Sequence, residues 1–118
     1  MTGSENPVES KSFDFAVRIV NLYKYLSDEK KEFVLSKQIL RSGTSIGANI
    51  SEALQAFSKA DFAFRMNVAL KEASETEYWL KLLKATDYIS ETEFKSINDD
   101  CAEIERLLVS IVKTAKGI

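Results

Sequence analysis

The sequence predicts an all-α protein, an antiparallel up-down-up-down four-helix bundle, and three observations carry that reading. The 118 residues contain one proline and four glycines, too little punctuation for the many turns that short strands require. Apolar residues recur at steps of three and four in four separate blocks, the signature of helices with one buried face. Between blocks, Ser58 precedes Asp61 and Ser90 precedes Glu93, hydroxyl-to-carboxylate spacings that start helices. Brief connections between such helices force neighbours to run in opposite directions.

Met1 to Ser10 is polar and holds Pro7, so residues 1–10 read as a flexible leader and residues 11–118 as one bundle domain. The first helix is expected from about Ser12 to Leu26, with Phe13, Ala16, Ile19, Val20, Tyr23 and Leu26 inward. The second runs from about Glu32 to Phe57. Within it, RSGTSIGANISEA places glycines where each costs about 1 kcal/mol against alanine, which calls for a compensating close approach. At about 100° per residue, Ile39, Gly43, Ile46, Gly47, Ile50, Leu54 and Phe57 share one stripe, and Gly43, Ile46, Gly47 and Ile50 are its candidate packing residues. Arg41, Ser45, Asn49 and Glu52 form a separate polar row, a candidate contact face.

The third helix starts at the Ser58 cap and carries Phe62, Met66, Ala69, Ala73, Thr76, Leu80 and Leu83 on a regular seam. The fourth starts at the Ser90–Glu93 capping box. Phe94, Ile97, Cys101, Ile104, Leu108, Ile111 and Ala115 line it, and Gly117 fits its stop.

Composition excludes several functions. There is no histidine, which removes Ser/His and Cys/His nucleophile pairs, the Glu-x-x-His di-iron pattern and common zinc sites. Cys101 lies on a core seam and reads as an inert thiol. Glu72 and Glu75 read as helix-surface charges that meet Lys71 or an arginine from a neighbour, rather than joining Glu52 as acid-base or metal carboxylates. No enzyme and no cofactor are expected. No apolar run is long enough to span a membrane or serve as a signal core, so no membrane is involved and a reduced, cytoplasmic setting is expected.

Sixteen basic against eighteen acidic residues give a net charge of −2, which opposes bulk coating of nucleic acid. A local patch remains: Lys30, Lys31, Lys37 and Arg41, with Arg18 and Lys24 as additions, are the candidate RNA contacts, although Asp28, Glu29 and Glu32 are interleaved and solvated charge is the ordinary reading. Phe64, Val68, Trp79 and Leu82 lie well round the third helix from its seam. A wide core stripe with scattered exposed hydrophobes would account for them plainly; four large groups together favour a subunit interface, and hence a homo-oligomer.

The segments KSFDFAVRIVNLYKYL, FVLSKQILRSGTSIGANISEA, SKADFAFRMNVALKEASETEYWLKLL and IVKTAKG together resemble the four-helix bundle proteins encoded within 23S rRNA intervening sequences, often called ribosomal-protein-like. The resemblance implies an antiparallel bundle assembled as a ring, a pentamer, without known catalytic activity. It matches Arg41, Ser45, Asn49 and Glu52 to the family's polar positions and Gly43, Ile46 and Ile50 to its packing positions. Many relatives carry proline where this chain has Gly47. Similar bundles serve as basic pentameric accessories of diversity-generating retroelements that engage RNA and a reverse transcriptase; the acidic balance here departs from that type. The expected partners are therefore copies of the chain itself, together with structured RNA or the ribosome, or alternatively an unidentified protein held on a scaffold free of nucleic acid.

Overall fold

Asn6 caps the first helix by accepting hydrogen bonds at its side-chain oxygen from Val8 N and Glu9 N, at 3.1 and 3.3 Å. With Pro7 pre-set in a helical φ at the first position, α1 spans Pro7–Asp28. The computed structural model describes residues 6–117, and its four helices continue with α2 (Leu35–Ala53), α3 (Lys59–Ala85) and α4 (Glu91–Lys116). No strand occurs among the described residues.

Two expectations for α1 change. Residues 7–10 are helical, because Asn6 and Pro7 start the helix ahead of Ser12; residues 1–5 of the expected leader lie outside the described residues. The inward face is Val8, Ser12, Phe15, Ile19 and Leu26, while Phe13 is 68% exposed. Two apolar stripes compete on this helix, and the one carrying Phe15 wins because it stays continuous with Val8 at the newly added turn.

Helix α2 is shorter than expected at both ends. Residues after Ala53 fold back in tight turns, with Gln55 N bonding Glu52 O and Ala56 N bonding Ala53 O. Leu54 and Phe57 therefore leave the apolar stripe, and Phe57 is fully exposed. At the other end Glu32 lies outside the helix and caps it: one carboxylate oxygen accepts from Val34 N and Leu35 N, the other from Ser36 N at 2.7 Å.

Helices α3 and α4 follow the sequence closely. Ser58 accepts from Asp61 N, the Ser90–Glu93 capping box is complete, and Gly117 ends α4 in the left-handed region at φ 72°. Met66, Ala69, Ala73, Thr76, Leu80 and Leu83 are buried against Ile97, Cys101, Ile104 and Leu108.

Each helix packs on two neighbours, α1 and α3 both lying between α2 and α4, and the backbones of the diagonal pairs stay farther apart, more than 8 Å between Cα atoms. This makes a four-helix bundle of 43 × 25 × 22 Å. Its cross-links step in opposite directions along paired helices: Arg41 reaches Glu75 while Glu52 reaches Arg65, and Ala73 meets Cys101 while Lys84 reaches Glu91.

Candidate functional site

The glycine-rich motif is where α2 meets α1. A Cβ added at Gly43 would fall 2.7 Å from Ile19 Cγ1 and 2.8 Å from Cγ2, and Ile19 is wholly buried. Glycine is what permits this contact. Gly47 differs: a Cβ there would sit 3.5 Å from Ser12 O and Oγ, ordinary van der Waals distance. The expected close approach belongs to Gly43, and Gly47 instead lines a shallow groove of 290 Å³ with Glu9, Ser12, Phe13, Ala16, Thr44, Ala48 and Ser51. Ile46 and Ile50 are fully buried, as expected.

The polar row of α2 turns toward α3 and its own backbone. Arg41 binds Glu75 at 2.7 Å and Glu72 at 3.2 Å. Its Nη2 donates to the same Glu75 oxygen that accepts from Trp79 Nε1 at 3.0 Å. These bonds, Arg41 first and Trp79 next, hold the Glu75 carboxyl below its usual pKa against the opposing effect of burial. Ser45 donates to Arg41 O at 2.6 Å and Asn49 donates to Ser45 O at 2.9 Å. Glu52 pairs with Arg65. The arginine that meets Glu72 and Glu75 thus comes from the same chain. Below this layer Ser42 and Thr76 join hydroxyls at 2.9 Å within the core.

Of the predicted basic patch, Arg41 is consumed by these carboxylates, and Arg18 is held by Asp100 at 2.7 Å and by Ser96. Lys24, Lys30, Lys31 and Lys37 are exposed and enter no ion pair among the described residues. Lys30 lies over the Tyr25 ring at 5.8 Å. Lys31 has φ 55°, a left-handed conformation that costs a residue with a Cβ about 1 kcal/mol or more. Of the interleaved acidic residues, Glu32 is turned inward as the α2 cap, while Asp28 and Glu29 stay exposed. Burial pushes the Glu32 pKa up, but hydrogen bonds from Leu35, Ser36 and Val34 outweigh this and leave it lowered. Glu32 was readable in the sequence only as an interleaved negative charge; the signal for its capping role is a carboxylate followed four residues later by a serine.

Phe64 is 59% exposed, whereas Val68, Trp79 and Leu82 are half-buried. Trp79 packs its edge against Tyr78 at 5.1 Å. At the end of the bundle, Leu54, Phe57, Phe62, Ile111 and Ala115 line an apolar groove of 870 Å³.

Burial, reinforced by the Glu105, Glu77 and Asp100 carboxylates, pushes the Cys101 thiol far up, and its Sγ lies 3.4 Å from Ala73 O. Among the described residues, no group of three or more carboxylate or thiol side chains is placed to hold a metal ion. No helix described is long and apolar enough to cross a membrane.

A family model described as 23S rRNA-intervening sequence protein matches residues 4–110. The chain belongs to that family. A solved structure agrees, a protein of unknown function from the S23 ribosomal protein family of Bacteroides thetaiotaomicron. It is 66% identical over 92% of this chain and 96% of its own, with a TM-score of 0.91. Comparison with curated proteins gives no match. The matched residues include the glycine motif, Arg41 with Glu72 and Glu75, and the α1–α2 turn.

Proposed function

We propose that this chain is a non-enzymatic, cytoplasmic accessory protein that binds structured RNA or the ribosome, as an antiparallel up-down-up-down bundle assembled into a homo-oligomer. The observation that carries the RNA reading is the division among its cations. Lys11, Arg18, Arg41, Arg65, Lys84 and Lys95 pair with carboxylates, and of the ten cations that enter no ion pair among the described residues, Lys30, Lys31 and Lys37 stand together in sequence around the α1–α2 turn. Unpaired lysines are suited to phosphate contact, where each neutralised phosphate releases counterions. Several subunits, five by resemblance to the family, would present the group in multiple copies, so weak contacts add through avidity.

Electrophoretic binding to structured RNA across a salt series tests this. Replacing Lys30, Lys31 and Lys37 by glutamate abolishes binding at low salt, while Arg41→Ala leaves it largely intact. No binding by the unmodified protein at low salt, or a triple variant that binds as well, overturns the reading.

A second reading, a protein scaffold that never meets nucleic acid, is favoured by the apolar groove beside fully exposed Phe57. Copurification with and without nuclease treatment separates the two: partners retained after nuclease support the scaffold.

A further inference from the structure

The turn between α1 and α2 holds an aromatic side chain out among its lysines. Phe33 is 54% and Val34 70% exposed, with Lys30 and Lys31 before them and Lys37 after. Exposed hydrophobes scattered singly are ordinary, so this exposure counts only for what surrounds it. Fully extended, the chain from Phe33 covers about 7 Å to Lys31, about 11 Å to Lys30 and less than about 14 Å to Lys37, which lies in the first turn of α2. Three lysines thus share the neighbourhood of one ring.

The backbone beneath Phe33 is pinned on both sides. Glu32 N donates to Leu26 O at 2.9 Å, the Glu32 carboxylate accepts from Val34 N, Leu35 N and Ser36 N, and Ser36 Oγ donates to Glu32 O at 2.8 Å. Glu32 is buried by these bonds, and the next side chain along is turned outward. A ring on a fixed turn gives up little conformational freedom when a flat partner covers it. The same bonds occupy three N–H groups at the start of α2, which leaves phosphate contact chiefly to the lysines. Asp28 and Glu29 are exposed but precede Lys30; from Lys30 to Lys37 the one carboxylate is Glu32, held in its cap.

We infer that the α1–α2 turn takes an unpaired nucleotide, its base stacked on Phe33 and its flanking phosphates against Lys30, Lys31 and Lys37, an inference that rests on the RNA reading above. It narrows structured RNA to a loop, a bulge or an open end. In a continuous A-form duplex the bases stack on one another, the major groove is too deep and narrow for side chains, and the shallow minor groove offers sugar hydroxyls and base edges. A projecting ring has nothing to stack on there. Along an unpaired stretch the base faces are open, and stacking on an aromatic side chain adds to the phosphate contacts whatever the base. An anionic bilayer would engage the same lysines, but attachment to it grows with buried apolar area, and Phe33 and Val34 are the only large exposed hydrophobics from Lys30 to Lys37.

Electrophoretic binding of the full chain to an RNA hairpin with an unpaired loop, and to a blunt duplex of its stem sequence, tests the inference, with circular dichroism confirming that each variant folds. The parent should prefer the hairpin. Phe33→Ala should weaken hairpin binding by about fivefold or more without altering the salt slope, and Phe33→Leu, apolar without a ring, should recover little of it. Duplex binding should be the same for all three proteins. Phe33→Trp should bind the hairpin at least as well as the parent, and the introduced indole should lose fluorescence on saturation; the parent, whose single tryptophan is Trp79 on α3, gives the reference signal. Equal affinity for hairpin and duplex, a Phe33→Leu variant that binds as the parent does, or an unquenched indole overturns the stacked base while leaving the lysine reading standing. A parent that binds neither RNA at low salt overturns both, and one that then binds vesicles of anionic lipid assigns the turn to a membrane surface.

Discussion

At Gly43 the Ile19 side chain occupies the space a Cβ would need, and the atoms met are Cγ1 and Cγ2, which cannot swing aside as a flexible tip could. Gly43→Ala should therefore lose about 1–2 kcal/mol, overpacking of about 1–3 kcal/mol being partly offset by better helix propensity. Gly47→Ala, four residues along, should be neutral or up to about 1 kcal/mol more stable, since its Cβ has room. Urea unfolding midpoints of the two variants decide the contrast. Glu32 supplies a second test at this scale. Its folded pKa is lowered by the α2 backbone, so its contribution is full above the unfolded carboxylate value of about 4.3 and is lost as pH falls through the lowered folded value. Glu75 acts in the same direction. Glu32→Ala should cost about 1–2 kcal/mol at neutral pH, and the gap between variant and parent should close in acid. Thermal melts from pH 7 down to about pH 3 check that closure.

Helices α3 and α4 were legible because capping pairs and unbroken apolar seams agree in each. Helix α1 was misphased because Phe13 and Phe15 offer rival stripes, and only the Asn6 cap, which adds Val8 to the core, decides between them. The Arg41 pairing was not legible at all. Glu72 and Glu75 stand 31 and 34 residues away, and their meeting depends on the register of α2 on α3, which local spacing does not encode. The lysine group was legible as charge, yet its separation from Arg41 was not. A like-charge contact across α3 and α4 also emerges only from packing: burial first, then Glu77, raises the Glu105 pKa. The folded state then holds more protons than the unfolded one, so stability falls as pH rises from the ordinary carboxylate value to the raised one. Glu105→Gln should raise stability at pH 7 by about 0.5 kcal/mol, with no gain in acid, as paired melts at pH 7 and pH 4 would reveal.

For the whole molecule, the net charge of −2 conceals an uneven distribution. Six of the sixteen cations are tied to carboxylates across helices or within them, and among the other ten, Lys30, Lys31 and Lys37 are grouped at the α1–α2 turn. Lys31 takes a left-handed backbone at φ 55°, as Asp87 does at φ 66° in the α3–α4 turn, so each of these two helix connections turns on a residue for which glycine would be less costly. Assembly would multiply that group without adding any to the subunit. The most direct test is the slope of log affinity against log salt for structured RNA, measured on the parent and on a variant with Lys30, Lys31 and Lys37 changed to glutamine. Binding through these residues predicts a parent slope that is clearly negative and a variant slope shallower by about 0.7–0.9 for each phosphate that the variant no longer neutralises. A variant with the parent's slope and affinity would contradict it.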